Sequence, residues 1–329
     1  MNANDSPPGK EDMIRLFYSM LRIRMVEEEI ASYYPEQEMR CPVHLSIGQE
    51  AVSAGVCAHL ASGDYVLSNH RSHGHYLAKG GSLTAMIAEI FGKADGCTRG
   101  KGGSMHLIDL KTGFLGAVPI VGSTIPIAAG VALGTLMKGE KRITTVFFGD
   151  GTTEEGAFHE ALNFAALKKL PLLFVCENNF YSVYSPLSVR QPSGREIISI
   201  AQGHGVESYQ GDGNNVLDVY RLTQKALNRV HSSGGPVFLE FKTYRWREHC
   251  GPNYDNAIGY RTEEEFLLWK ERCPIERFKH YLIQQELINS DLVEDMTEKI
   301  KKEIQRAIRK AKKSDFPDKK ELFEGIYAK

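Results

Sequence analysis

An aspartate held between two glycines and a pair of asparagines bracket the stretch GDGTTEEGAFHEALNFAALKKLPLLFVCENN, residues 149 to 179. Gly149 and Gly151 permit a tight turn and close backbone approach, and a helix that follows them directs its amide-bearing end at whatever lies there, which favours a phosphate. Asp150 alone would repel that phosphate, so the pattern calls for a divalent cation between the two. Magnesium suits the role because it takes an octahedron of hard oxygens from few protein groups and from phosphate, and Asn179 can add a neutral oxygen. A plainer reading stays open, with GDG as a strand-end turn and Asn178–Asn179 as ordinary turn residues.

Either reading depends on the elements that carry the two ends. ITTVFF (143–148) and PLLFVCE (171–177) are short apolar runs of strand-forming residues, separated by a helical stretch from about Glu154 to Lys169. Together they form a βαβ unit, and their near-continuous hydrophobicity predicts a parallel sheet covered on both faces. Ligands in such sheets sit beyond the carboxyl ends of the strands, where GDG and ENN both fall, so the two ends should meet. GPVFLEFKTYR (235–245) reads as a further strand. Residues 11–33 place Ile14, Phe17, Met20, Leu21 and Met25 at helical spacing, and GQEAVSAGVCAHLA and SLTAMIAEIFG are helical, whereas the glycine-dense GCTRGKGGSMHLID is loop. From about residue 263 the chain is charged and helical. Its KIKKEIQRAIRKAKK run keeps Ile300, Ile304 and Ile308 four residues apart, which fits a surface helix better than a nucleic-acid patch. The expected architecture is one α/β domain over 1–329, with that helical segment packed on it and aiding assembly.

Composition narrows the partners. The 40 basic residues nearly cancel the 41 acidic ones, so no polyanion or membrane surface is indicated. The six cysteines form no CxxC pair, which argues against a zinc site or a disulfide framework. A polar start, MNANDSPPGKED, and no apolar segment of membrane-spanning length suggest a cytoplasmic location.

GDG, 26 residues and then NN resembles the thiamine-diphosphate motif. The likeness extends over nearly the whole chain, through HLSIGQEA, HRSHGH, GKGGSMH, IVGSTIPIAAGVAL, NFAALKKLPLLFVCENN, TYRWREH, YRTEEE and FPDKKELFEGIYA, to the α subunits of the decarboxylase component of 2-oxo acid dehydrogenase complexes of the pyruvate and acetoin type. The resemblance implies a thiamine-diphosphate-binding fold. It also implies magnesium on Asp150, Asn179 and the main-chain oxygen of Tyr181, with the diphosphate beside Gly149 and approached by the amides of Gly151 and Thr152. Arg71 would pair with the diphosphate, a task that suits its planar fork of donors, and His70 precedes it in the cofactor site. Ile120 and Val121 would pack on the cofactor rings. His249, His73 and His44 match histidines near the reacting carbon, the diphosphate and the site mouth, where a neutral imidazole can move a proton or stabilise an oxyanion.

The likeness has gaps. His70 stands where mitochondrial pyruvate dehydrogenase α chains have tyrosine, and Pro119 replaces a glycine. Cys250 replaces the regulated serine, which excludes kinase control there, and Arg247 with Glu248 adds charge to a loop expected to line the substrate funnel. The glutamate that activates the aminopyrimidine lies, in two-chain relatives, on a β subunit. The resemblance therefore implies an α2β2 assembly, inactive as isolated α chains, that decarboxylates a small 2-oxo acid and passes the acyl unit to a lipoyl acyltransferase. Two alternatives remain: a two-chain carboligase that transfers a two-carbon unit to an aldehyde, ketone or sugar, which the unusual residues 246–259 suggest, and a non-catalytic subunit.

Overall fold

Among the described residues, six strands form the main sheet: β1 (Tyr65–Ser68), β2 (Phe114–Ala117), β3 (Thr144–Gly149), β4 (Leu172–Asn178), β7 (Glu207–Asp212) and β8 (Val237–Lys242), with a small hairpin of β5 (Tyr181–Ser182) and β6 (Ser185–Pro186) after β4. The computed structural model describes residues 8–324 and 327. The polar stretch up to Pro7, and Gly325, Ile326 and Ala328 of the final matched motif, lie outside the described residues. All pairings in the six-stranded sheet are parallel, in the order β2-β1-β3-β4-β8-β7.

Burial on both faces explains the apolar runs. Along β4, Leu173 and Val175 enter one core while Leu172, Phe174 and Cys176 enter the other, as the two-residue period of a strand requires. The first core collects the helices Lys10–Tyr33, Glu50–Cys57 and Leu83–Ile90, and the second collects Thr124–Met137 and Gly156–Lys168. The α/β class with helices on both faces is as the sequence predicts.

The helix Ser290–Lys313 buries Met296, Ile300, Ile304, Ala307, Ile308 and Ala311 on one stripe and packs against Leu83–Ile90 and Lys10–Tyr33. Its Lys312 reaches Glu36 and Glu38, both at 2.8 Å. The lysines thus occupy the outer face of a packed helix. No described helix is long and apolar enough to cross a membrane.

Strand order changes direction at β1 and β3. From β1 the chain crosses outward to β2, and from β3 it proceeds the other way to β4, so the segments leaving their carboxyl ends splay apart and open a crevice.

Candidate functional site

Four neighbouring strands deliver the walls of one cleft at this edge. After β1 come Asn69, His70 and Arg71, after β3 Asp150, Gly151 and Thr152, after β4 Asn179 and Tyr181, and after β8, at greater distance, His249. In the β3–β4 register Gly149 lies opposite Glu177, so the chains leaving these strands start side by side. The two ends of the 149–179 stretch meet as their spacing predicts. The cleft opens to solvent and is lined by both polar and apolar side chains, among them Gln49, Asn69, Val121 and Glu177.

Asp150 is 1% exposed. Burial raises its pKa, an effect opposed by the Arg190 guanidinium, which ion-pairs with its carboxylate and also with Glu154. The α-helix, expected from about Glu154, begins two residues later, at Gly156. Asp150–Glu154 instead form a 3-10 turn in which Thr153 Oγ1 donates to the Asp150 carbonyl at 2.8 Å. The amides nearest Gly149 therefore belong to a tight turn. A Cβ on Gly151 would stand 2.7 Å from Ser182 Oγ and 3.1 Å from Ser182 Cβ, so the serine would have to shift to admit one.

The two asparagines divide their work. Asn178 is the last residue of β4, and its Nδ2 donates to Glu240 Oε1 at 2.8 Å. Asn179 donates through Nδ2 to Gln49 Oε1 at 3.0 Å and accepts from the Tyr181 amide at 3.2 Å. With its amide nitrogen committed to Gln49, Asn179 is oriented so that oxygen is its remaining donor atom. Phe180 takes a left-handed φ of 69°, and Tyr181 donates from its hydroxyl to Glu265 Oε2 at 2.7 Å, which ties the hairpin to the helix Glu263–Glu271. Buried in or beside the cleft, Glu177 Oε1 and Gln49 Nε2 have no hydrogen-bond partner. Unpartnered buried polar atoms of this kind cost stability unless something else satisfies them.

Arg71 is buried beside the histidines and holds two loops at once. It donates to the Leu45 carbonyl at 2.5 Å and to the His249 carbonyl at 3.1 Å. Burial, with Arg245 nearby, lowers its pKa to about 9, so it remains charged at neutral pH. His44, His70 and His249 cluster with ring centroids 4.6, 5.1 and 5.3 Å apart. Burial first, then the Arg71 charge, lowers them to about 2, 3 and 3 respectively, so all three are neutral at pH 7.

The other sequence candidates lie elsewhere. His73 is fully buried outside the cleft wall, its Nε2 2.7 Å from Ser104 Oγ and its Nδ1 3.2 Å from Glu27 Oε1. Val121 lines the cleft, whereas Ile120 does not and is 67% exposed. Arg247 turns away from Glu248: it pairs with Glu28 and lies 4.2 Å above the Tyr254 ring, while Glu248 accepts from the Asn253 amide at 2.8 Å. These charges fasten the loop to itself and to the helix Lys10–Tyr33, because each finds a closer opposite charge or amide than its sequence neighbour.

Sequence reasoning missed Gln49, Glu177 and Arg190. Glu177 adjoins the asparagine pair and could have been suspected from that place. Nothing local marks Arg190, which lies forty positions from Asp150.

Hard oxygens from Asp150 and Asn179, close to turn amides and a buried guanidinium, form a donor set suited to a magnesium ion and a diphosphate. A cation bound there must take Asp150 from Arg190.

The family model described as dehydrogenase E1 component matches residues 18–320. The α subunit of acetoin:2,6-dichlorophenolindophenol oxidoreductase from Bacillus subtilis (strain 168) is 38% identical over 319 residues, covering 97% of this chain and 94% of that protein. The pyruvate dehydrogenase E1 component subunit α of Porphyra purpurea is 36% identical over 334 residues, covering 99% and 96%. A chloroplastic counterpart from Arabidopsis thaliana, pyruvate dehydrogenase E1 component subunit α-3, is 36% identical over 325 residues, covering 97% and 75%.

Proposed function

This chain belongs to the dehydrogenase E1 component family, and from that premise we propose that it is the α subunit of a two-chain enzyme, dependent on thiamine diphosphate and magnesium, that decarboxylates a small 2-oxo acid. The acyl unit passes to a lipoyl acyltransferase. The observation that carries the reading is the meeting of Asp150, Asn179 and Arg71 in one cleft beyond the carboxyl ends of adjacent parallel strands.

Asp150, Asn179 and the main-chain oxygen of Tyr181 would hold the magnesium ion. Arg71 and the amides of Gly151 and Thr152 would hold the diphosphate, and Val121, with Ile120 beside it, would meet the rings. When bound, the cofactor supplies a carbon nucleophile and an electron sink for the loss of carbon dioxide.

The chain's own residues prepare that chemistry. Neutral His249, His70 and His44 can each donate a proton from one ring nitrogen and accept at the other, so they can orient a 2-oxo acid without fixing its carboxylate as a permanent ion pair. Burial around Arg71 strengthens every charge interaction in the cleft. His73 keeps a place in the proposal as support: held between Glu27 and Ser104, it braces the backbone two residues after Arg71.

Val121, which would meet the rings, lines the cleft and is itself exposed. Ile120, Val121, Ile127, Leu136 and Met137 are exposed along and just before the helix Thr124–Met137, an apolar surface of the kind that a second subunit covers. A β subunit seated there would supply the missing glutamate and complete an α2β2 enzyme.

The test combines the chain with its β partner and measures decarboxylation of pyruvate with and without lipoyl protein. Turnover that needs both subunits and lipoyl protein supports the proposal. Full turnover by the isolated chain, or condensation product formed without lipoyl protein, would overturn it.

A further inference from the structure

We propose that His44, His70 and His249 form a binding site for one transition-metal ion of the zinc class, with a donor set separate from the oxygens at Asp150 and Asn179. One ring nitrogen from each of the three lies within 4.8 Å of the others. In a tetrahedral zinc site, nitrogens about 2.0–2.1 Å from the ion stand roughly 3.3 Å from one another, so each imidazole must close in by about an ångström, a movement side-chain rotation provides. The ordinary role of these rings, contact with a 2-oxo acid, does not require them to converge on a point. Their convergence is the feature to explain.

The site is built, because its three backbones are fastened together. The Gly251 amide donates to the Val43 carbonyl at 2.8 Å, joining the His249 loop to the segment that carries His44. Arg71, next to His70, donates to the carbonyls of Leu45 and His249, so one guanidinium joins all three segments. His44 is 6% exposed, and its buried Nδ1 has no hydrogen-bond partner. Buried ring nitrogens are ordinarily satisfied, and a metal ion is one group that satisfies them.

Chemistry selects the ion. Neutral imidazoles bind zinc, copper, cobalt and nickel, whereas magnesium prefers oxygen. The three rings need no deprotonation at pH 7, because burial and Arg71 already keep them neutral. Arg71 also opposes the incoming charge and weakens the site relative to a three-histidine site without a cation beside it. Three protein ligands leave a position open towards the cleft. If the preceding functional proposal holds, an ion there occupies the place of the 2-oxo acid and acts as an inhibitor.

Cobalt(II) is the probe, because low-coordinate nitrogen ligation gives it intense visible absorption bands. The full-length chain would be titrated with cobalt(II) in magnesium-free buffer at pH 7.5, beside the His70→Asn, His249→Asn, Asp150→Asn and Cys250→Ser variants, with folding checked by circular dichroism. One equivalent should produce the bands. Loss of even an outer-shell partner costs roughly 10–100-fold in metal affinity, so loss of a ligand in each histidine substitution should weaken binding on the order of 100-fold or more, while Asp150→Asn and Cys250→Ser leave the bands in place. His249 lies on a different segment from His70, so its variant keeps the test informative if His70→Asn misfolds. Absence of the bands, their loss in Asp150→Asn or Cys250→Ser, or an unchanged cobalt affinity in a folded histidine variant would overturn the proposal. Because the readout is binding to this chain, its failure is distinct from failure of the decarboxylase reading.

Discussion

Replacing Arg190 with methionine should destabilise the metal-free chain and tighten its hold on magnesium. Arg190 pairs with Asp150 and Glu154, and its Nε donates to the Ser185 carbonyl at 2.9 Å. A divalent ion on Asp150 with the guanidinium still about 5 Å away would meet a repulsion on the order of 6 kcal/mol at an effective dielectric of about 20. That exceeds what any single ion pair there returns, so Arg190 must leave Asp150 when the metal arrives, keeping Glu154 and the Ser185 carbonyl as anchors. Without Arg190, the metal-free chain holds a buried carboxylate with no cation. Breaking one side of a buried pair costs about 3–5 kcal/mol. Taking about 3 kcal/mol, because the Arg190 side chain is still 11% exposed and Asp150 can accept a proton, the melting temperature of the metal-free chain should fall by roughly 5 °C. Magnesium affinity in the presence of thiamine diphosphate should rise about tenfold, equivalent to about 1.4 kcal/mol no longer spent on separating the pair. Scanning fluorimetry with and without magnesium and cofactor reads the first effect, and calorimetric titration reads the second. Weaker magnesium binding in Arg190→Met would refute the reasoning and would instead make Arg190 a ligand-binding cation.

Gly151→Ala should weaken cofactor binding about tenfold with little change in melting temperature, because its Cβ would press on Ser182 Oγ at 2.7 Å and displace the hairpin by a few tenths of an ångström; a Gly151→Ala/Ser182→Gly double variant should recover most of the loss, and no recovery in titration would show that the contact is not the cause. Arg71→Lys keeps a charge but loses the planar fork that reaches Leu45 and His249, so limited proteolysis should cut the 247–262 loop faster than in the parent chain, and an unchanged cleavage rate would contradict that bracing role. Glu27→Gln should lower stability by about 2–3 kcal/mol, since the fully buried carboxylate accepts from the Ser46 amide and hydroxyl at 2.9 Å and lies 3.2 Å from His73; chemical denaturation that finds the variant as stable as the parent would remove Glu27 from the account.

Sequence and structure agree most closely where the signal is local. The strands 144–149 and 172–178 were evident from apolar β-forming runs with a helix-length gap, and the amphipathic helices from their spacing. The 3-10 turn at Asp150–Glu154 was not, because helical composition begins at Glu154 whichever way the chain turns before it, and the choice depends on Thr153 reaching back to the Asp150 carbonyl.

By itself the sequence determined the α/β class, the meeting of Asp150 and Asn179, and the family likeness, because strand periodicity, parallel crossover and residues fixed to strand ends are properties of short segments. Only the tertiary structure decided that Arg190 guards Asp150, that His44, His70 and His249 share a point while His73 stands outside it, and that Arg247 reaches Glu28 instead of Glu248. These are pairings between residues from 26 to 219 positions apart in the chain. Their partners are selected by which side chains the packed sheet and helices leave facing one another, a consequence of the whole fold that no local pattern records.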